Sequence, residues 1–148
     1  MTLVTNKKVF FDYEILERFE AGIALFGYEV KAIRKGKASL VGSRVIVRGS
    51  EAFLVGASVS PYQEANTPKG YDSTRPRKLL LHEKEIARLG SAEGKKGLTI
   101  VPISMYNKRR NIKLEIAIAR GKKKTDKRQS IKARDTKRDL ARELKRNI

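Results

Sequence analysis

The feature that most constrains the fold is an alternation of apolar and polar residues that occurs twice around one short turn. The first run covers residues 99–105, the second covers residues 112–118, and a polar turn at 107–111 separates them. A period of two residues places the apolar side chains on one face of an extended strand. The pattern therefore predicts an antiparallel hairpin with one buried face.

Runs of the same kind lie earlier in the chain. Alternation across residues 13–25 predicts a long strand, and Gly22 within it predicts a bulge or a bend. Residues 44–48 and 52–59 flank a Gly-Ser pair, which predicts a second hairpin. These strands are short and closely spaced along the chain, as in small all-β domains.

Two short helices and a loop complete the pattern. Apolar residues three apart predict helices at 29–35, where Gly36 ends the helix, and at 82–90. Residues 61–76 are polar and rich in proline, so they predict a loop, and residues 78–81 predict a short strand after it. We therefore expect a mainly β protein with flanking helices, built as a small closed antiparallel β-barrel that is OB-fold-like.

The positive charge is concentrated at the C-terminal end. Residues 120–148 hold 13 Lys/Arg and four Asp/Glu, a net charge of +9 out of +18 for the whole chain. A segment with so much like charge and so little apolar surface does not fold alone, and such segments often fold on RNA. We expect a barrel at 1–120 and a basic C-terminal tail at 121–148 that is disordered or helical.

Several classes of protein are excluded or disfavoured by composition. The chain has no cysteine and only one histidine, His82, so no metal site, cofactor or catalytic set is predicted. No stretch approaches the ~20 apolar residues of a membrane-spanning helix. The N-terminus also lacks the apolar core of a signal peptide. We expect a cytoplasmic, monomeric protein that is not an enzyme and has no membrane partner.

A net charge of +18 on 148 residues favours a polyanionic partner. Beyond the tail, basic residues cluster at 7–8, 34–37, 75–78, 95–96 and 108–110. Each contact with a phosphate releases counterions and adds to affinity, so the set predicts nucleic-acid binding ahead of binding to a membrane surface. Tyr62, Tyr71 and Tyr106 lie near these clusters and either stack on bases or anchor loops.

Four ordered blocks of sequence are similar to those of a known family. They read NKK at 6–8 with DY at 12–13 and FEAGI at 19–23; GYEVK at 27–31 with RKGKA at 34–38; RPRKLLL at 75–81; and GKKKTDKR at 121–128. From about Asn6 to Arg138 the chain resembles small protein B (SmpB), the family of bacterial SsrA-binding proteins.

The resemblance implies both a fold and a function. Members of the family are OB-fold barrels with flanking helices that bind the tRNA-like domain of transfer-messenger RNA (tmRNA, SsrA). They accompany this RNA to stalled ribosomes for trans-translation and ribosome rescue. The tail enters the ribosomal decoding centre and message channel and becomes helical there. Elongation factor Tu, which binds the charged RNA, is an indirect partner.

The resemblance also assigns residues by position. The expected RNA-binding residues are Asn6, Lys7, Lys8, Glu20, Lys31, Arg75, Arg77, Lys78, Leu80 and Lys113. The expected ribosome-binding residues of the tail are Gly121, Lys122, Lys123, Asp126, Lys127, Arg128, Ile131, Lys132 and Arg134. Of these, Glu20 is the acid on a basic surface, and it either accepts hydrogen bonds from RNA or pairs with a neighbouring cation.

The chain departs from the family at Phe11, Thr125 and Thr136. Many relatives have His at the first position, His or Tyr at the second and Trp at the third. Threonine has no ring to stack on a base. Backbone, hydroxyl and charge contacts therefore have to replace stacking at the two tail positions.

Two other functions fit the composition. A structural ribosomal protein also combines a small barrel with a basic tail, and it predicts stable co-sedimentation with ribosomes whether or not tmRNA is present. A small nuclease that uses scattered carboxylates and Mg²⁺ predicts cleavage of bound RNA that a chelator abolishes.

Overall fold

A computed structural model describes residues 2–61, 63, 65 and 67–122. Nine strands and three helices follow one another in this part of the chain. They are β1 (Thr2–Thr5), α1 (Lys8–Asp12), β2 (Tyr13–Ile23), α2 (Gly27–Arg34), β3 (Ala38–Ser39), β4 (Arg44–Arg48), β5 (Glu51–Val55), β6 (Ser58–Val59), β7 (Arg77–Leu80), α3 (Glu83–Glu93), β8 (Leu98–Lys108) and β9 (Asn111–Gly121).

Six of the strands close into a ring. Their order is β8-β4-β5-β7-β2-β9, and β9 pairs again with β8, with every pairing antiparallel. The prediction of a mainly β, OB-like closed sheet with flanking helices is confirmed. The ring is held together most weakly between β4 and β8, however, because these strands share one register pair, Val45 with Ile100. β1 pairs with the C-terminal part of β8.

The interior of the ring is the main hydrophobic core. Alternate residues of the strands point into it, and Leu54, Ile100 and Leu114 have no exposed surface. Helix α3 packs against β4 and β8 and adds Leu89 and Ala92 to the same core. The apolar face of each strand is therefore buried in this core, and the opposite face lies on the outside of the ring.

A second, smaller core lies on the outer side of β8 and β9. Val9 of α1 packs there against Val101 and Ile103 of β8 and Ala117 and Ala119 of β9. The two strands are therefore apolar on both faces at this point. The elements α1, β1 and β3 were not predicted, because each is short and its residues show no clear alternation of apolar and polar side chains.

The main hairpin is longer than predicted. Strands β8 and β9 pair from Leu98 to Lys108 and from Asn111 to Gly121, around a turn in which Arg109 has a φ of 58°. The bulge in β2 lies between Ile15 and Glu17 rather than at Gly22.

The second hairpin is also divided differently. The run predicted as one strand at 52–59 is split into β5 and β6, because Gly56 takes a φ of 82° between them. Both predicted helices exist with shifted ends, and His82 is the residue before the first turn of α3. In the part of the chain that the structure describes, no helix is long and apolar enough to cross a membrane.

Candidate nucleic-acid interface

A row of residues crosses four neighbouring strands on the outer face of the ring. Leu80 of β7 pairs with Gly22 of β2, Gly22 pairs with Lys113 of β9, and Lys113 pairs with Tyr106 of β8. We call these four residues the outer row. Two residues that the sequence places 33 positions apart, Leu80 and Lys113, therefore lie on one surface. They line a shared cleft of about 310 Å³ together with Arg110.

Leu80 is an exposed apolar side chain in this row. It is 57% exposed, although the neighbouring Leu79 is 2% exposed and belongs to the core. Gly22 makes room for it, because a Cβ at that position would lie 3.1 Å from the Leu80 Cβ. The glycine in β2 therefore serves the close approach of Leu80 and not a bulge.

Glu20 lies two residues before Gly22 on the same face of β2. Its carboxylate accepts hydrogen bonds from the hydroxyl of Tyr106 and from Nζ of Lys108, the latter at 2.9 Å. These two hydrogen bonds lower the pKa of Glu20, and the nearby charges of Lys108 and Lys113 act in the same direction. Burial and the bond to Glu20 in turn raise the pKa of Tyr106.

The result is an ionised carboxylate that is held in place and still exposed. A carboxylate has about four acceptor sites, and only two are used here. Beside it, Glu115 of β9 accepts a hydrogen bond at 2.9 Å from Arg18. The outer face therefore alternates acids and bases and is not uniformly positive.

A second cluster surrounds Glu29, which is completely buried in α2. Arg77 donates to it from Nε at 3.0 Å and from Nη2 at 2.7 Å, and Arg75 donates to both carboxylate oxygens. The Tyr71 hydroxyl donates at 2.8 Å and the Phe26 amide at 2.9 Å. The cluster ties α2 to the loop before β7 and to the start of that strand.

The pKa values of this cluster follow from its geometry. Burial alone would raise the pKa of Glu29, but the hydrogen bonds from Arg75, Phe26, Arg77 and Tyr71 outweigh it and lower the pKa to about 2. Burial and the bond to Glu29 raise the pKa of Tyr71 to about 12. Glu29 therefore stays charged, and Tyr71 stays protonated as a loop anchor.

Two of the predicted RNA-facing residues, Arg77 and Asn6, are buried. Arg77 has no exposed surface, and it also donates to the backbone oxygens of Ala57 and Ser73. Asn6 is 5% exposed, and its amide donates to the Pro102 oxygen at 3.1 Å. Both side chains therefore hydrogen-bond to neighbouring parts of the protein, and their contact with RNA stays a prediction.

The remaining predicted cations occupy different places. Lys7 and Lys8 are exposed at the start of α1, Lys31 is exposed on α2, and Lys78 is exposed on β7. Lys78 donates to Glu51 at 3.1 Å. The outer row therefore contains Leu80 and Lys113 from the predicted set, with Glu20 and Lys78 on the same strands.

The predicted start of the tail coincides with the end of the last strand. Gly121 pairs with Tyr13, and the Lys122 amide then donates to the Asp12 oxygen at 2.9 Å. The Lys122 ammonium group donates to the Phe10 oxygen at 3.0 Å. The other predicted positions in the tail lie outside the described residues, as does Tyr62; they are Lys123, Thr125, Asp126, Lys127, Arg128, Ile131, Lys132, Arg134 and Thr136.

Sequence reasoning missed the partners of Glu20 and Glu29. Tyr106 and Lys108 reach Glu20 from 86 and 88 positions away, a separation that no local pattern reports. Among the described residues, no group of three or more His, Cys, Asp or Glu side chains is arranged to hold a metal ion.

The fold and this surface place the chain among small β proteins with an OB-like ring of antiparallel strands. Its outer face carries both acids and bases, and the chain has a net charge of +18. Comparison with known proteins makes the assignment specific. A family model described as SmpB protein matches residues 3–146, so the chain belongs to the SmpB family.

Similar proteins support the same assignment. The SsrA-binding protein of Ralstonia nicotianae (strain ATCC BAA-1114 / GMI1000) is 49% identical over 142 residues, which cover 96% of each chain. That of Synechococcus sp. (strain JA-3-3Ab) is 50% identical over 144 residues, which cover 97% of this chain and 94% of the relative. A chain from a solved structure described as "tmRNA-SmpB: a journey to the center of the bacterial ribosome" is 42% identical, with a TM-score of 0.69 over 84% of this chain and 87% of that one.

Proposed function

We propose that this protein binds the tRNA-like domain of tmRNA through the outer face of its ring and delivers that RNA to stalled ribosomes for trans-translation. The observation that carries the proposal is the outer row, with Glu20 beside it. Membership of the SmpB family supports the choice of RNA, because its relatives are SsrA-binding proteins. The solved tmRNA-SmpB structure supports the ribosome as the destination.

The outer face has the chemistry that selective RNA binding needs. Lys113, Lys108 and Arg110 supply positive charge for phosphates, which positions an RNA without reading it. Glu20 accepts hydrogen bonds, and the donors it suits are ribose 2′-hydroxyls and base edges. Leu80 offers an apolar surface to a base or a ribose. Because an acid repels phosphates, a face of this kind selects the RNA that places donors at Glu20.

The protein acts in this proposal as an adaptor and not as an enzyme. It works in the cytoplasm on the stalled ribosome, and the barrel at 1–120 holds the RNA. The tail at 121–148 enters the decoding centre and the message channel and folds there, as basic segments do on RNA. Elongation factor Tu meets the complex through the charged end of the RNA.

A binding competition tests the proposal. Full-length protein is incubated with the labelled tRNA-like domain at fixed moderate salt, and bulk tRNA or unlabelled tRNA-like domain is added as competitor. We expect the specific competitor to displace the label at much lower concentration. Equal displacement by bulk tRNA would contradict the proposal, because it would leave only the general attraction of a basic protein for RNA.

A further inference from the structure

We propose that Arg75 and Phe26 form a stacking platform for one unpaired base of the bound RNA. The inference rests on the proposed function and extends it, because it assigns a mode of contact to a surface outside the outer row. Single-stranded and looped RNA is commonly recognised by bases that stack on aromatic rings and on the plane of arginine side chains.

The platform is visible in the geometry of the two side chains. The guanidinium carbon of Arg75 lies 4.2 Å from the centre of the Phe26 ring. Phe26 is nevertheless 50% exposed, and it is one of few large apolar side chains at the described surface. Its ring is stacked at 5.5 Å and 26° with Tyr28, which meets Tyr71 edge-on at 5.2 Å. Tyr28 therefore supports the Phe26 ring directly, and Tyr71 supports Tyr28.

Arg75 is held before any RNA arrives. Its Nε donates to one oxygen of Glu29 at 3.1 Å, and its Nη2 donates to the other oxygen. Glu29 is itself buried and held by Arg77. The Arg75 side chain keeps 25% of its surface exposed. A guanidinium that is already oriented loses little freedom when a base stacks on it, so it binds more tightly than a mobile one.

A second arginine that lies over an aromatic ring, Arg18, is held less firmly than Arg75. Arg18 also lies over an exposed ring, that of Phe10, but at 5.7 Å from the ring centre. The Arg18 side chain is 56% exposed and makes one hydrogen bond to Glu115. It lacks the two-pronged anchor of Arg75 on a buried acid.

The platform lies at the end of the same strand pair that carries the outer row. Gly22 pairs with Leu80, Ile23 pairs with Leu79, and the Ala24 amide donates to the Lys78 oxygen at 2.9 Å. Phe26 lies two residues after Ala24, and Pro76 and Arg75 lie two and three residues before Lys78. Because an extended chain spans at most about 3.6 Å per residue, Arg75 lies no more than about 18 Å from Leu80. One RNA loop that lies on the outer row can reach the platform by way of the exposed Lys78.

A double-mutant cycle between protein and RNA tests the inference. The protein variants are Phe26→Leu, which keeps an apolar side chain, and Arg75→Lys, which keeps the charge and loses the plane. The RNA variants carry an abasic site at each unpaired nucleotide of the tRNA-like domain in turn. On the wild-type protein we expect one abasic site to weaken binding about fivefold or more, as the loss of a stacked base does. On either protein variant the same abasic site should have no further effect.

Arg48→Lys is the matched control for Arg75→Lys. Arg48 also pairs with a glutamate, Glu93 at 2.7 Å, but it lies in the β4–β5 hairpin. The Arg48→Lys variant should bind the intact RNA with wild-type affinity, and each abasic site should weaken its binding as much as it weakens wild-type binding. Because Arg75→Lys also touches Glu29, thermal unfolding is measured for each variant, and Phe26→Leu decides the result if Arg75→Lys is unstable.

The inference is overturned if every abasic site weakens binding by the same factor on the two protein variants as on the wild-type protein. In that outcome the wild-type protein can still prefer the tRNA-like domain over bulk tRNA, and the proposed function stands. If that preference is absent as well, the proposed function fails.

Discussion

Glu29 shows how a single residue organises a surface that it never reaches. It is fully buried in α2, yet it orients Arg75 at the surface and Arg77 beneath it. A buried carboxylate is costly unless it is paired, and here two guanidinium groups and a hydroxyl satisfy it. Removing the charge leaves the two arginines facing each other without an anion between them.

We predict that Glu29→Gln lowers the free energy of unfolding by about 3 kcal/mol at neutral pH, the size typical of breaking a buried ion pair. The folded pKa of Glu29 is about 2, below its ordinary value of 4.5. The stabilisation by Glu29 is therefore complete above pH 4.5 and is lost as the pH falls toward 2. Denaturant unfolding at several pH values checks this. An unchanged gap between the two proteins at pH 7 and pH 3 would contradict it.

Glu20 provides a second prediction at the residue scale. Replacing an acid on a basic protein should strengthen binding to any RNA if the acid only repels phosphates. If Glu20 instead accepts hydrogen bonds from the tRNA-like domain, Glu20→Gln should weaken binding to that RNA and not to bulk tRNA. The affinity for the tRNA-like domain divided by the affinity for bulk tRNA, both measured by fluorescence anisotropy, should therefore fall. Glu83→Gln on α3 is the control and should leave the ratio unchanged.

In strand β7 the structure separates residues that the sequence places in one basic cluster. Residues 75–78 read as a basic cluster in the sequence. In the strand, Arg77 and Leu79 point inward while Lys78 and Leu80 point outward, as a period of two requires. The sequence Arg-Lys-Leu-Leu at 77–80 shows no matching alternation of charged and apolar residues, because the buried Arg77 is charged and the exposed Leu80 is apolar. Local sequence also gave no sign of the acid that makes a buried arginine possible, because Glu29 lies 48 positions away.

The same contrast holds for the other elements. The long alternating runs of β8 and β9 were predicted from sequence, because burying one face of a strand leaves a regular period. The placement of Leu80 beside Lys113 was not predicted from the pattern, because it depends on β2 lying between β7 and β9. Family resemblance supplied that grouping by position, and it included Asn6 and Arg77, which the structure buries.

The contact between β2 and β7 can be tested by adding a side chain at Gly22. In Gly22→Val the new Cβ lies 3.1 Å from the Leu80 Cβ, so Leu80 has to move. We expect weaker binding to the tRNA-like domain and a lower midpoint of thermal unfolding, because the Leu80 Cβ can move away only together with the backbone of β7, which pairs with β2. Gly94→Ala is the control, since its Cβ meets nothing closer than 3.7 Å. Wild-type affinity in Gly22→Val would show that the position of Leu80 does not matter.

The positive charge of the whole molecule is unevenly distributed along the chain. Half of the net charge of +18 lies in residues 120–148, after the last strand has nearly ended. The outer face of the ring, in contrast, mixes acids with bases. We therefore propose that the ring provides selectivity for tmRNA and that the tail provides a general attraction to ribosomal RNA.

Truncation after Lys122 separates these two parts. It keeps β9 complete, together with the hydrogen bonds from Lys122 to Asp12 and Phe10. We expect the shortened protein to bind the tRNA-like domain selectively, with a weaker dependence on salt because fewer cations meet phosphates. Its activity in a reconstituted ribosome-rescue assay should be lost. Loss of all RNA binding would mean that the ring is not the specific reader.

We propose that tmRNA binds the outer face across β7, β2, β9 and β8. Chemical-shift changes in the full-length protein, recorded while the tRNA-like domain is added, test this proposal. We expect the largest changes at Glu20, Gly22, Leu80 and Lys113, and small changes on α3 and the β4–β5 hairpin. Changes concentrated on α3 and that hairpin, with the outer row unaffected, would contradict it.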